Sequence, residues 1–207
     1  MRRKKKPLII VLSGAQGVGK KTLAHQLSVD LQIMQRITLS YVTKIMKAFA
    51  PSNPIVQKWN IFNQTDKKHL RKKLKKEAEF IGKILSTVID KAEHSGENCV
   101  IDGVELLPEF LPMDKILFFC IFISTDEHQK RFSKPKITRL RHNTNTSFSV
   151  VKKINELIIQ ECRGYPVYYI NNTGTPKQVS KQIIETIKRD YPDYRDRYLW
   201  FANSEHS

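Results

Sequence analysis

The chain has 207 residues, 40% of them hydrophobic and 27% charged, which predicts one globular domain with its own core and excludes an intrinsically disordered protein. Its longest apolar run, from Ile116 to Ile123, has eight residues. A helix that crosses a bilayer needs about 20 residues, so we expect no membrane-spanning segment. Thirty-six Lys and Arg against 20 Asp and Glu leave a net charge of +16, which favours polyanionic partners such as nucleotides, phosphorylated metabolites or RNA.

The basic residues are clustered along the chain. Half of them fall in three acid-free segments, residues 2–6, 67–76 and 130–141. The first belongs to a basic N-terminal arm, residues 1–6. Because the apolar stretch after this arm is too short for a signal peptide, we expect a cytoplasmic protein. For the first two segments, a solvated surface and a patch that attracts polyanions, whether nucleotides, phosphorylated metabolites, RNA or acidic membrane, are equally good explanations.

The first predicted elements are a strand, a glycine-rich turn and a helix. Residues 8–13 form a continuous apolar run that stops at glycine, which is typical of a buried parallel strand. After the turn, apolar residues recur at helical spacing from Leu23 to Leu31. A short strand over residues 36–40 and a helix over residues 41–49 follow.

A long amphipathic helix is predicted over residues 66–93, with its lysines facing water. The remaining predicted elements are strands at residues 99–101 and 116–123, a helix at 150–162, a strand at 167–170 and a helix at 179–187. Alternating strands and helices predict an α/β fold, a five-stranded parallel sheet with helices on both faces. We expect a single domain over residues 1–190, followed by a C-terminal tail at 191–207.

One motif carries recognisable chemistry, and it lies between the first strand and the first helix, as a G-x-x-x-x-G-K phosphate-binding loop must. Its residues are Gly14, Ala15, Gln16, Gly17, Val18, Gly19 and Lys20. Glycines allow positive φ and bring backbone N–H groups against the β-phosphate, while the lysine spans the β- and γ-phosphates. An incidental glycine-rich turn is the alternative. The three glycines, the lysine and the flanking elements favour a loop that binds ATP.

The residue after the lysine breaks the pattern. Ser or Thr is usual there because its hydroxyl ligates Mg²⁺, but this chain has Lys21, with Thr22 next. Three outcomes are open: Thr22 takes over as metal ligand, the Lys21 ammonium stands where the metal would, or metal-dependent transfer is lost. We count both residues with the nucleotide-binding loop, and Mg²⁺ with the predicted cofactors.

Further segments give the chain a resemblance to a known family. They are VIDGVELLP at residues 100–108, DEHQKRF at 126–132 and PVYYINNT at 166–173. With the loop, and in this order over residues 8–188, they make the chain resemble the small P-loop kinases of the 2-phosphoglycerate kinase type. The resemblance implies a P-loop NTPase fold similar to nucleoside monophosphate kinases, and ATP-dependent phosphoryl transfer to a small phosphorylated hydroxy acid.

The chain departs from this family at the acceptor site. Alignment with the family places Ser40 where an acidic residue would orient the acceptor, and Thr43 where a substrate-binding arginine is usual. Together with Lys21, these departures leave the acceptor and the base that deprotonates it unassigned.

Asp102 ends the third strand at the carboxyl edge of the sheet, where ligands bind in doubly wound folds. We predict that it holds Mg²⁺ through water or orients the acceptor hydroxyl. A solvated Asp-Gly turn is the alternative, and Glu105 is a second acidic candidate.

Two more site residues follow from the resemblance. It implies a lid over residues 126–146 whose arginines neutralise charge on the transferred phosphoryl group, and we assign this role to Arg131, with a plain basic surface as the alternative. Asn172 leaves the last strand where such folds touch the adenine, although its surroundings also resemble an ordinary turn.

Two main functional hypotheses remain. In the first, the protein is a kinase in which Lys20 and Arg131 stabilise the transition state and Asp102 serves the metal or the acceptor. In the second, a kinase fold without catalysis binds nucleotide, RNA or a ribonucleoprotein through its basic segments. A nucleotide-dependent switch is a third possibility, and the sequence makes no prediction of oligomeric state.

Overall fold

The computed structural model describes residues 6–63, 66–133 and 147–191. Its centre is one sheet of five parallel strands in the order β2-β3-β1-β4-β5. The strands are β1 (Ile9–Ser13), β2 (Gln35–Thr38), β3 (Cys99–Gly103), β4 (Leu117–Phe122) and β5 (Tyr168–Asn171). This arrangement confirms the predicted parallel sheet.

The helices form two layers. They are α1 (Lys20–Asp30), α2 (Leu39–Phe49), α3 (Pro54–Gln57), α4 (Lys67–Ser95), α5 (Thr125–Ser133), α6 (Phe148–Glu161) and α7 (Pro176–Asp190). Helix α1 packs against α7, while α4 packs against α6. Every residue of β1 and of β3 is buried, so side chains on both faces of the sheet are covered, as a parallel sheet requires.

The predicted strand over residues 36–40 is wrong at its end. The strand stops at Thr38, because Leu39 and Ser40 already form the first turn of α2. The end of β2 at Thr38 is important because Thr38 lies opposite Asp102 of β3 in the strand register. Leu12 of β1 lies opposite Asp102 on the other side. The carboxyl ends of three neighbouring strands therefore meet at one edge of the sheet.

The long helix α4 begins and ends with capping residues. The Asp66 carboxylate accepts a hydrogen bond from the His69 N–H at 2.9 Å, and Gly96 closes the helix with a φ of 69°. The helix continues to Ser95, two residues beyond the predicted end at residue 93, and Ala92 is its last buried residue.

Much of the basic segment 67–76 is bound within the fold. Arg71 forms an ion pair with Glu161, and Lys75 pairs with Glu109 at 2.6 Å. Lys73 donates to the carbonyl oxygen of Asn60 at 2.8 Å. These contacts hold α4 against its neighbours, and they weaken the expectation that the whole segment serves as a patch for RNA.

Several predicted regions lie partly outside the described residues. Helix α5 contains the first part of the predicted lid, whereas residues 134–146 lie outside, as do residues 1–5 of the arm and 192–207 of the tail. Within the part of the chain that the structure describes, no helix is both long and apolar enough to cross a membrane.

Candidate nucleotide-binding site

The glycine-rich loop joins the buried end of β1 to the start of α1. Gly14, Gly17 and Gly19 have φ values of 151°, 90° and 93°, conformations that glycine adopts without steric cost. Gly19 is the N-cap of α1 and contributes no capping side chain, so the backbone N–H groups of the first turn are directed toward the loop. Lys20 is only 7% exposed, and its ammonium donates to the Ala15 carbonyl at 2.8 Å. The ammonium thus lies across the loop.

A histidine that sequence reasoning missed supports the outer side of this loop. His128 of α5 is buried, and its Nε2 lies 2.7 Å from the Gln16 carbonyl oxygen. Because a carbonyl only accepts, Nε2 carries the proton of this hydrogen bond. Burial lowers the pKa of His128 below its ordinary value, and nearby Lys20 and Arg131 act in the same direction. The signal available in the sequence was its position three residues before Arg131, on the same side of α5.

Arg131 and Asn172 close the other side of the loop. The Arg131 guanidinium donates to Glu127 through Nε and to the Asn172 carbonyl through Nη2, each at 2.8 Å. The Asn172 amide in turn donates to the Val18 carbonyl at 2.7 Å, and it fills the space that a Cβ on Gly19 would need. Arg131 and Asn172 therefore both lie against the loop, and the Asn172 side chain contacts the loop backbone.

Asp102 lies at the edge of the sheet beside the loop. It is buried, and it accepts a hydrogen bond of 2.7 Å from the Thr38 hydroxyl. Sequence reasoning placed Ser40 at the end of β2, but Thr38 is the β2 residue that contacts Asp102. The Thr43 hydroxyl donates to the Ser40 carbonyl at 3.3 Å, within α2. Ser40 and Thr43, which align with the acidic residue and the arginine of the 2-phosphoglycerate kinase type family, are thus neutral residues of α2.

Lys21 and Thr22 are both exposed in the first turn of α1. The Lys21 ammonium lies 5.0 Å from the centroid of the Tyr41 ring on α2, within the range of a cation–π interaction. This contact directs the Lys21 side chain from the loop toward α2. Thr22 supplies the side-chain hydroxyl in this turn.

Two further carboxyl groups, those of Glu105 and Glu77, are buried in the fold. Glu105 accepts a hydrogen bond from the Trp59 side chain, and burial raises the pKa of Glu105 while the Lys20 charge opposes that shift. Glu77 of α4 is 2% exposed and its Oε1 accepts from the Asn60 N–H at 3.2 Å, but its Oε2 has no partner among the described residues. Burial and the charge of Glu105 raise the pKa of Glu77 to about 8, against the effect of Lys73 and Lys47.

The wild type is expected to lose stability between about pH 6 and pH 8, and replacing Glu77 by glutamine should abolish most of this pH-dependent loss. The folded-state pKa of about 8 exceeds the ordinary value of 4.5, so unfolding releases a proton in this range. The contribution of Glu77 is complete below its unfolded pKa of 4.5 and is lost as the pH rises through 8. The part of it that is lost between about pH 6 and pH 8 is roughly 2 to 3 kcal/mol. Urea unfolding at a series of pH values measures this loss.

Glu79→Gln is the matched control, because Glu79 is exposed on the same helix and pairs with Lys83 at 2.9 Å. It should keep the wild-type dependence on pH. An unchanged dependence in Glu77→Gln as well would show that Glu77 is not the titrating group.

The loop, the Lys20 ammonium and the open start of α1, set at the edge of a parallel sheet, define a P-loop protein. The family model described as AAA domain (dynein-related subfamily) matches residues 9–112, half of the chain. The chain belongs to this P-loop family.

Known proteins similar to this chain are small kinases. A protein of Pyrococcus furiosus named 2-phosphoglycerate kinase is 26% identical over 196 residues, which cover 86% of this chain and 64% of the relative. This chain therefore spans less than two thirds of that relative's length. The match confirms the resemblance that the sequence motifs indicated.

Two solved structures show the same fold at low sequence identity. A sugar kinase from Janibacter sp. is 14% identical with a TM-score of 0.54, over 90% of this chain and 98% of that one. A shikimate kinase from Acinetobacter baumannii is also 14% identical, with a TM-score of 0.53, over 90% of this chain and 96% of that one. The chain thus has the fold of a P-loop kinase.

Proposed function

We propose that this protein binds ATP and transfers its γ-phosphoryl group to a small, phosphorylated hydroxy acid, in the manner of its 2-phosphoglycerate kinase relatives. One observation carries the proposal: the phosphate-binding loop with Lys20 and the carboxylate of Asp102 lie on neighbouring strands at the same edge of the sheet. This edge is where parallel α/β folds bind their ligands.

The roles of the residues follow from their charge and place. The Lys20 ammonium and the N–H groups at the start of α1 attract the phosphates. Arg131 is held beside Gly19 by Glu127 and Asn172, so its positive charge is fixed near the loop. Charges fixed in advance stabilise a transition state without the cost of reorganising them during the reaction.

The residues present fit Mg²⁺ in part. Proteins usually bind Mg²⁺ through one or two carboxylates together with substrate phosphates and water. Asp102 supplies one carboxylate at the correct edge, and Thr22 supplies an exposed hydroxyl. The Lys21 side chain has no oxygen atom that could bind the metal. In this proposal Asp102 would hold the metal, which would neutralise charge on the phosphates when bound.

Thermal stabilisation by ATP, with and without Mg²⁺, tests this arrangement. ATP at about 100 times its dissociation constant should stabilise the protein by about 2.7 kcal/mol. In Lys21→Thr, Mg²⁺ should increase the ATP-induced rise in melting temperature more than it does in the wild type. The variant gains a hydroxyl at the position where such loops ligate the metal, and it loses an ammonium that attracts phosphate without metal.

Lys181→Thr is the matched control, because it removes an exposed lysine from α7, where Lys181 lies 4.0 Å from Glu185. Its response to ATP and Mg²⁺ should equal that of the wild type. If ATP stabilises neither the wild type nor Lys21→Thr under any condition, the proposed nucleotide site is wrong. If ATP binds but no acceptor among phosphorylated hydroxy acids is turned over, the second hypothesis, a non-catalytic kinase fold, replaces the first.

A further inference from the structure

Helix α2 exposes three large apolar side chains in one row. Tyr41, Ile45 and Phe49 are 60%, 58% and 86% exposed. They are spaced four residues apart, so they lie above one another on one side of the helix. Val42 and Met46, on the other side, pack against the core. We call Tyr41, Ile45 and Phe49 the α2 stripe.

The charged side chains that α2 and Lys21 place beside the α2 stripe are positive. Helix α2 contains no Asp or Glu and two lysines, Lys44 and Lys47, of which Lys47 donates a hydrogen bond to the Trp59 carbonyl at 3.1 Å and is directed away from the stripe. Lys21 of α1 adds an ammonium beside the stripe, 5.0 Å from the Tyr41 ring centroid. An apolar row flanked by lysines is complementary to a ligand that presents both flat apolar groups and negative charges.

The α2 stripe begins at the candidate nucleotide-binding site. Thr38, whose hydroxyl donates to Asp102, ends β2 immediately before α2 starts. Tyr41 is in the first turn, and its partner Lys21 directly follows Lys20 of the loop. From Tyr41 to Phe49 the helix rises by about 12 Å, at about 1.5 Å per residue. The row therefore leads away from the sheet edge for more than two turns.

A small phosphorylated hydroxy acid does not explain this surface. It has no flat apolar group to place on an aromatic ring, and it is too short to extend along two helical turns. A single-stranded nucleic acid has both properties, because each of its bases stacks on aromatic side chains while its phosphates bind lysines. In a duplex, the base faces are already stacked on one another and are not available.

We propose that the α2 stripe binds single-stranded nucleic acid, with bases stacked on Tyr41 and Phe49 and phosphates beside Lys21 and Lys44. This binding goes beyond the proposed phosphoryl transfer and does not depend on it. It also moves the expected RNA-binding surface from residues 67–76, where Arg71, Lys73 and Lys75 are engaged within the fold, to α2.

Fluorescence anisotropy with a labelled single-stranded RNA of about 12 nucleotides tests the proposal. Tyr41→Ala and Phe49→Ala should each weaken binding by a factor of roughly 5 to 150, the range expected for the loss of one stacked base. Tyr41→Phe keeps the ring and should retain most of the affinity. Lys44→Gln should lower the slope of log affinity against log salt by about 0.7, because one phosphate contact is lost on a single strand.

Two controls separate this binding from other effects. Met34→Ala removes another apolar side chain, 92% exposed, at the start of the β2 region and should leave RNA affinity unchanged. Lys20→Ala should also leave it unchanged, so failure of the nucleotide site and failure of the α2 stripe are distinguishable. Circular dichroism and thermal melting confirm that each variant is folded.

Three outcomes would overturn the proposal. Equal affinity for single-stranded and duplex RNA, with no effect of Tyr41→Ala, would show binding by charge alone. Binding of anionic lipid vesicles, but not of RNA, that is lost in Tyr41→Ala and Phe49→Ala would show that the α2 stripe is a membrane-contact surface. A dimer that dissociates in the same variants, again without RNA binding, would show that α2 contacts a second copy of the chain.

Discussion

Lys20→Ala is expected to lower kcat for ATP-dependent phosphoryl transfer by a factor of about 100 to 1,000, the typical cost of removing one fixed donor to developing charge. The Lys20 ammonium lies across the loop, where it donates to the Ala15 carbonyl, and the surrounding structure leaves it only 7% exposed. Alanine removes this charge, and Lys21 does not replace it because its side chain is directed toward Tyr41. Initial rates with saturating ATP and a panel of phosphorylated hydroxy acids measure the effect.

Lys83→Ala is the control for this experiment, since Lys83 is exposed on α4 and pairs with Glu79 away from the loop. Its turnover should equal that of the wild type. ATP binding should also weaken in Lys20→Ala, and the thermal shift detects that change separately from turnover. Wild-type kcat in a folded Lys20→Ala variant would contradict the proposed role of this lysine.

Gly14→Ala should destabilise the protein by roughly 2 to 5 kcal/mol, through backbone strain together with overpacking. Gly14 has a φ of 151°, and a Cβ at this position would meet the backbone carbonyl oxygen of Ile121 on β4. A carbonyl in the centre of a sheet cannot move aside as a flexible side chain can. The start of the loop would therefore shift away from β4. Urea unfolding measures the loss of stability.

Gly164→Ala isolates the effect of backbone strain. Gly164 also has a positive φ, of 85°, but among the described residues no atom other than those of Gly164 and its two chain neighbours lies within 4 Å of the place that its Cβ would occupy. Its alanine variant should lose only about 1 kcal/mol, the cost of the left-handed conformation alone. Equal losses in the two variants would show that the contact with β4 has no energetic consequence.

Local sequence patterns were sufficient to predict the sheet and the loop. The run from Leu8 to Ser13, the glycines and Lys20 are consecutive, so neighbouring residues alone indicate the strand, the loop and the start of the helix. The end of β2 was harder to predict, because Ile37 to Ser40 fits a strand as well as a helix start. Only the register with β3 decides that Thr38 reaches Asp102.

Contacts between distant parts of the chain could not be predicted from the sequence. Glu77, Glu105 and Trp59 come from three separate segments, and no spacing rule brings them together. The same is true of Arg71, whose partner Glu161 lies on another helix. A lysine-rich segment therefore looks like free positive charge until the acidic partners are known.

The hydrogen bond between the Asn172 amide and the Val18 carbonyl joins the last strand of the sheet to the first loop of the chain. The P-loop family model matches the chain only as far as Pro112, yet His128, Arg131 and Asn172 all lie beyond that point and contact the loop from outside. A fragment limited to residues 9–112 would contain the loop motif and lack the side chains that hold the loop in shape. The presence of the loop motif and the ability of the loop to bind phosphate are thus separate properties. In this chain the second depends on residues that lie far C-terminal to the motif.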